Sequence, residues 1–310
     1  MAETYEEALL RLETALFSTT AVSGWIKSLD DLAALGDDPA AIRAALSKIK
    51  SPKMRTAILA ALGESVRAGM LSATRTILPA LDGDNVAARA LYNRALGSFR
   101  FSAGLLESGA ALDEAGREAI RQAKLVQSTG GSSQAILAPL KAHRQATTRA
   151  TTRAVNQGAN EGIAHAATEG GLPVVWVAER NACVRCLRYS GEISRDGVPF
   201  PGGLTYGNRK PGGGPLKTPG LHPYCRCHLE PLRDQTYADS LRREADRSVL
   251  RGYSLESEPT SVRVDAAKKL IADGVTAPKS VIAFSKRSIK DGKFPQPRRE
   301  PGRPAHDFTP

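Results

Sequence analysis

Apolar positions in the first third of the chain recur every three or four residues, the interval that places side chains on one face of a helix. Leu9, Leu12 and Leu16 share such a face, and Glu6, Glu7 and Glu13 accompany them; acidic residues are favoured toward a helix N-terminus. Asp38 and Pro39 form a start signal for a second helix carrying Ile42, Leu46 and Ile49. Ser51 and Pro52 read as the start of a third, with Met54, Ile58, Leu62 and Val66 every four residues. Helical spacing resumes over 86–168, with breaks predicted at Gly104, at Gly109 and at the turn sequence 129–132. Within the last helix Arg149, Arg153, Asn156 and Asn160 fall on one face, expected to be solvated or to meet a partner.

The pattern changes after Gly170 and Gly171. Residues 172–177 are a β-branched run containing Trp176, which predicts a strand, and 227–232 predict a second. Between them, residues 197–220 hold eight glycines and five prolines in 24 positions, too many for regular structure, so an irregular surface loop is expected. Helices are predicted again over 237–252 and 261–273 and after Pro278, and a Pro-, Arg- and Gly-rich tail over 291–310 is expected to be disordered. The fold class is therefore mainly α. A helical N-terminal region (1–110) precedes a core with a small mixed α/β element (111–235), a helical C-terminal region (236–290) and the tail (291–310).

Composition agrees with helices: 41% of the 310 residues are hydrophobic and only 5% aromatic. A chain of this length buries a core without disulfides. The net charge of +11 is uneven. Residues 1–40 hold eight acids and two bases, whereas 180–217 and 286–303 each hold seven bases and two acids. Such a surface is expected either to be simply solvated or to meet nucleic acid or an acidic protein face through counterion release and long-range steering. No apolar run approaches the roughly 18 residues of a membrane span, and Met1-Ala2-Glu3 opens with an acid rather than a basic signal region. Synthesis and initial residence in the cytosol are expected, without a membrane partner.

All four cysteines lie between 183 and 227, and in a reducing compartment that clustering favours a metal over disulfides. Cys183-Val-Arg-Cys186 presents two thiolates from one turn, and His222-Pro-Tyr-Cys225-Arg-Cys227 supplies further sulfur and nitrogen donors. Three sulfurs and one nitrogen form a tetrahedral set that zinc accepts. Cys183, Cys186, His222 and Cys225 are the first choice, Cys227 replaces Cys225 if the chain there is extended, and His228 is a weaker candidate. Four protein ligands leave no place for water or substrate, so the zinc is expected to be structural and to pin the glycine-rich loop. Reduced thiols or later disulfides are the alternative. No HE-x-x-H sequence or GxSxG nucleophile context is present, so no enzymatic activity is expected.

The order of a helix, a strand with Trp176, Cys183-x-x-Cys186, Gly191-Glu192-Ile193, a variable loop and His222-Pro-Tyr-Cys225-Arg-Cys227 resembles the Mu F-like head morphogenesis family of tailed bacteriophages, over about residues 140–232. That resemblance implies a phage minor capsid protein located inside the phage head, and in the host cytoplasm during assembly. The portal protein, the scaffold or capsid interior, and packaged DNA are its implied partners. A nucleic-acid-binding zinc protein and a metal-dependent nuclease are the alternatives. In the first of these, Arg185, Arg188 and Arg226 beside the knuckles contact phosphate.

Overall fold

The computed structural model describes residues 5–36, 38–78, 84–179, 182–206, 214–222, 225–254 and 258–294. Its elements in chain order are α1 (Tyr5–Ser18), α2 (Thr20–Ala33), α3 (Pro39–Lys48), α4 (Arg55–Ile77), α5 (Asn85–Ser98), α6 (Ala103–Ser128), α7 (Ser133–Glu169), β1 (Val174–Val177), α8 (Val184–Tyr189), β2 (Ile193–Ser194), β3 (His228–Pro231), α9 (Gln235–Leu250), α10 (Thr260–Ala272) and α11 (Lys279–Lys290). The protein is mainly helical with a small mixed α/β region. Of the tail expected to be disordered, 291–310, the first four residues are described, with Phe294 buried, and 295–310 lie outside the described residues.

The chain divides into two compact units. Unit 1 comprises 1–69 and 98–162, and unit 2 comprises 70–97 and 163–310. The core of unit 1 gathers the predicted faces of α1 (Leu9, Leu12, Leu16) and α3 (Ile42, Leu46) with Ile58 and Leu62 of α4. Asp38 caps α3 as expected, its carboxylate accepting from the amides of Ala40 and Ala41. Buried His143 accepts at Nδ1 from the Trp25 indole N–H (3.1 Å) and so donates from Nε2 to the Leu112 carbonyl (3.0 Å).

Several local expectations are corrected in unit 1. Helix α4 begins at Arg55 rather than at Ser51, because the Asp113 carboxylate on α6 accepts from the amides of Met54 (2.6 Å) and Arg55 (3.3 Å) and caps it from a distant part of the chain. Helix α6 runs through Gly104 and Gly109 without a break. A Cβ on Gly109 would lie 2.8 Å from the Arg55 Cα, so that glycine serves close helix packing. The face expected to be polar on α7 is split. Arg149 and Arg153 are exposed, but Asn156 and Asn160 are buried, with Asn160 Nδ2 donating to the Asn156 carbonyl (2.9 Å) and side-chain oxygen (3.0 Å). They lie where α7 meets α4 at backbone contact: a Cβ on Gly162 would sit 2.2 Å from the Val66 carbonyl oxygen, and one on Gly69 2.0 Å from that of Ala159.

In unit 2 the strands form one antiparallel sheet in the order β2-β1-β3, with Trp176 opposite Leu229 and Val177 opposite His228. Both predicted strands are present, and Gly191-Glu192-Ile193 leads into the short β2. Gly191 sits at φ +77°, and a Cβ there would approach the Ala238 carbonyl oxygen to 2.4 Å, so glycine is required where this turn meets α9. The described parts of the glycine-rich loop contain no helix or named strand, only a bridge between Phe200 and Leu216. The helices expected after 236 are present, and Asp234 caps α9 through the amide of Tyr237 (2.8 Å).

Candidate metal centre

Trp176, fully buried on β1, is the platform beneath the site. It stacks on Tyr189 at 4.7 Å between ring centroids and meets Phe200 edge-on at 5.4 Å. Tyr189 is the last residue of α8, and its hydroxyl donates to the Pro201 carbonyl (2.8 Å), tying the loop to the helix. The first turn of α8 is built by the CxxC sequence itself: the Cys183 sulfur accepts from the Cys186 amide at 3.3 Å. Glu258, preceding α10, accepts from the Val184 amide (2.9 Å) and completes the cap.

The second knuckle approaches from the far end of the loop. Cys225 donates its amide to the His222 carbonyl (3.2 Å), a turn that carries the chain into Cys227 and β3. The donor atoms of Cys183, Cys186 and His222 all lie within 4.8 Å of one another, as do those of Cys186, Cys225 and Cys227. Cys186, Cys225 and Cys227 are buried and Cys183 is half-buried. The structure thus brings together all five residues singled out in the sequence. It does not bring His228 among them. Side chains alternate along a strand, and His228 lies 3.1 Å from the Glu230 carboxylate two residues on, whose other oxygen accepts from Tyr237.

The electrostatics are those of a site built for a cation. The Cys183 thiol is drawn down to about 5, chiefly by the hydrogen bond from Cys186, against burial. Cys225 is strongly lowered for the same first reason, with Cys227 and His222 assisting. Cys186, which donates to Cys183, is raised. Cys227 is raised as well: Cys186 acts on it in the lowering sense, but its bond to Cys225 and its burial prevail. Burial opposes charge on His222, yet Cys183 and Cys225 hydrogen-bond to it and push it up to about 11. Buried negative sulfur balanced by an imidazolium is a charge pattern that a divalent ion replaces, taking up the thiolates and leaving the imidazole neutral.

Distance supports the same chemistry. Two sulfurs on one tetrahedral zinc, each at about 2.3 Å from the ion, stand about 3.8 Å apart; Cys186 Sγ and Cys225 Sγ are 3.9 Å apart. The cluster is geometrically compatible with a structural metal.

The sequence matches no family model, and no curated protein and no solved structure matches the chain. The reading as a phage minor capsid protein of the virion is corrected by that result. The spacing that suggested it, HP-x-CRC after CxxC, is accounted for by the geometry of a Cys/His centre, which does not specify a capsid.

Sequence reasoning missed the groups that hold the centre in place. Tyr206 donates to Asp246 on α9 (2.6 Å), and Arg188 and Arg242 converge on Glu192 at 3.0 and 3.1 Å. Burial, first, and the bond to Asp246 raise the Tyr206 phenol well above its usual range. Of the three arginines expected to meet phosphate, Arg188 is thus engaged within the fold, while Arg185 and Arg226 are half-buried with partners of their own. Among the described residues no helix is long and apolar enough to cross a membrane.

Proposed function

We propose that this is a non-catalytic nucleic-acid-binding protein whose Cys/His centre holds one structural zinc. The observation that carries the reading is the convergence of donors: four sulfurs and one imidazole form two overlapping groups that share Cys186, where four ligands suffice. Cys183, Cys186, His222 and Cys225 are the ligands. His222 has Cys183 and Cys225 as its partners, whereas Cys227 reaches Cys186, Cys225 and the Glu179 amide. A closed set supplies folding energy and leaves no position for a reacting group.

Charge supplies the nucleic-acid half of the reading. Unit 2 contains 27 Lys and Arg against 18 Asp and Glu, a net of +9 of the chain's +11, while unit 1 is close to balanced. The excess therefore shares a unit with the metal centre. A structural ion beneath a basic surface suits contact with a phosphate backbone.

Two measurements test the proposal. Elemental mass spectrometry of protein purified without chelator is expected to give about one zinc per chain, with thiols masked until denaturation. Binding to duplex DNA is expected to weaken steeply with added salt. Absence of zinc together with four reactive thiols sinks the metal assignment; binding indifferent to salt sinks the nucleic-acid assignment.

A further inference from the structure

Several exposed basic side chains of this protein have an acid of the same helix at hand. Lys27 pairs with Asp31, Arg67 with Glu64, Arg117 and Arg121 with Glu114, and Lys269 with Asp273. Helix α11 contains no such acid. Its twelve residues, KSVIAFSKRSIK, contain four bases and no acid. Lys279, Lys286, Arg287 and Lys290 are all exposed, as is Lys293 just beyond the helix, and among the described residues none of these five makes an ion pair. Asp291, at the C-cap, is the nearest acid in sequence.

The spacing turns these charges into a line. Lys279, Lys286 and Lys290 stand at i, i+7 and i+11, which at about 100° per residue keeps them within roughly 40° of arc, and Arg287 flanks them. At about 1.5 Å rise per residue the line is about 16 Å long, matching about five nucleotide steps of one duplex strand. The opposite side of the helix is occupied: Val281, Ser285 and Ser288 are buried, and α11 packs on α9 and α10. A membrane surface would need that apolar side free to insert. A polyanion needs only the cations.

We propose that the Lys279–Lys286–Lys290 face of α11 is the surface that docks the phosphate backbone of a nucleic-acid duplex, without reading its sequence. This rests on the nucleic-acid reading above and places it on α11 rather than at the knuckle arginines, which are engaged within the fold. Keeping four like charges unpaired on one short helix disfavours the free state, and condensed phosphates relieve that repulsion while releasing their counterions.

The test uses the full-length, zinc-loaded protein and a labelled mixed-sequence DNA duplex of about 20 base pairs, followed by anisotropy between about 50 and 200 mM salt. The triple variant Lys279→Gln, Lys286→Gln, Lys290→Gln is compared with a charge-matched control, Lys27→Gln, Arg67→Gln, Arg117→Gln. Circular dichroism and zinc content establish that both variants fold. The slope of log affinity against log salt is expected to flatten by about 2.7 in the α11 variant, at about 0.9 per phosphate contact, with at least about a tenfold loss at the low-salt end. The control is expected to keep the wild-type slope. Equal losses in both variants would overturn the proposal, because net charge alone would then suffice. Wild-type affinity for poly-glutamate equal to that for DNA would also overturn it, in favour of an acidic protein partner. DNA binding unchanged in the α11 variant removes the docking face and leaves the nucleic-acid reading standing; no DNA binding by the wild-type protein removes both.

Discussion

Replacing Cys225 and Cys227 separately by serine distinguishes the ligand from its neighbour. Structural zinc in small domains is worth about 10–16 kcal/mol spread over four donors, so loss of one thiolate removes roughly 3 kcal/mol, about a hundredfold in affinity. Cys225→Ser removes a sulfur that stands 3.9 Å from Cys186 and also bonds to His222. Cys227→Ser keeps the proposed four donors and changes a buried neighbour, so its zinc affinity is expected to fall less than about tenfold. Titration against a chromogenic chelator reads the affinity. Trp176 emission, with Trp25 replaced by phenylalanine, reads the fold, because Trp176 stacks on Tyr189 at the end of the helix that Cys183 and Cys186 begin. Cys225→Ser is expected to shift Trp176 emission at low zinc and to recover it when zinc is raised. Equal weakening by the two substitutions would refute the assignment of Cys225 over Cys227.

The two tryptophans fall in different units, so each unit can be followed alone. Burial lowers the pKa of His143 below the ordinary 6.5. The unfolded chain therefore takes up a proton that the fold resists, and unit 1 is expected to keep its stability above pH 6.5 and lose it as pH falls below that value. Urea midpoints read from Trp25 in a Trp176→Phe background check this; an unaltered pH dependence in His143→Gln would count against it. At the α4–α7 contact, Gly162→Ala is expected to cost about 1–3 kcal/mol by overpacking against the Val66 carbonyl, whereas Gly63→Ala, with nothing within 4 Å, is expected to stabilise α4 by about 0.5–1 kcal/mol. Melting temperatures moving in the same direction would show the close approach to be soft. Zinc removal is expected to weaken duplex binding although no α11 lysine is altered, since α8 packs on α9 and α9 carries α11; anisotropy with chelator-treated and zinc-restored protein reads the effect.

Legibility in the sequence followed the range of the interactions. The faces of α1 and α3 and the Asp38 cap depend on residues within one or two turns, and they were readable. The period-three-and-four set Val22, Trp25, Leu29 and Leu32 is equally local, although the expectations above include no helix over Thr20–Ala33. The start of α4 was not readable, since its cap comes from Asp113, 59 residues from Met54. Gly109 and Gly162 look alike as helix breakers until the opposing backbone is known. The centre divides in the same way. Donor types and their CxxC and HP-x-CRC spacing named all five residues, but the choice between Cys225 and Cys227 turns on which sulfur meets His222 across a loop of more than thirty residues.

The place proposed for the metal follows from the short sheet and the long loop of unit 2. Unit 1 assembles long helices around more than twenty buried apolar side chains and contains none of the four cysteines. The sheet of unit 2 has strands of four, two and four residues, and Val175, Leu232 and Ala238 form one small buried apolar cluster against it. Strands that short do not hold a loop of glycines and prolines against its conformational entropy. A metal held by the proposed ligands Cys183, Cys186, His222 and Cys225 would join the two ends of that loop and offset part of this cost. Tyr189, Tyr206 and Glu192 then fasten the loop and α8 to α9. Unit 2 also carries most of the positive charge, and like charges gathered on one surface repel one another. A bound ion that fixes α8 against α9 would thus help α9 and α10 hold the cationic face of α11 in the line proposed above.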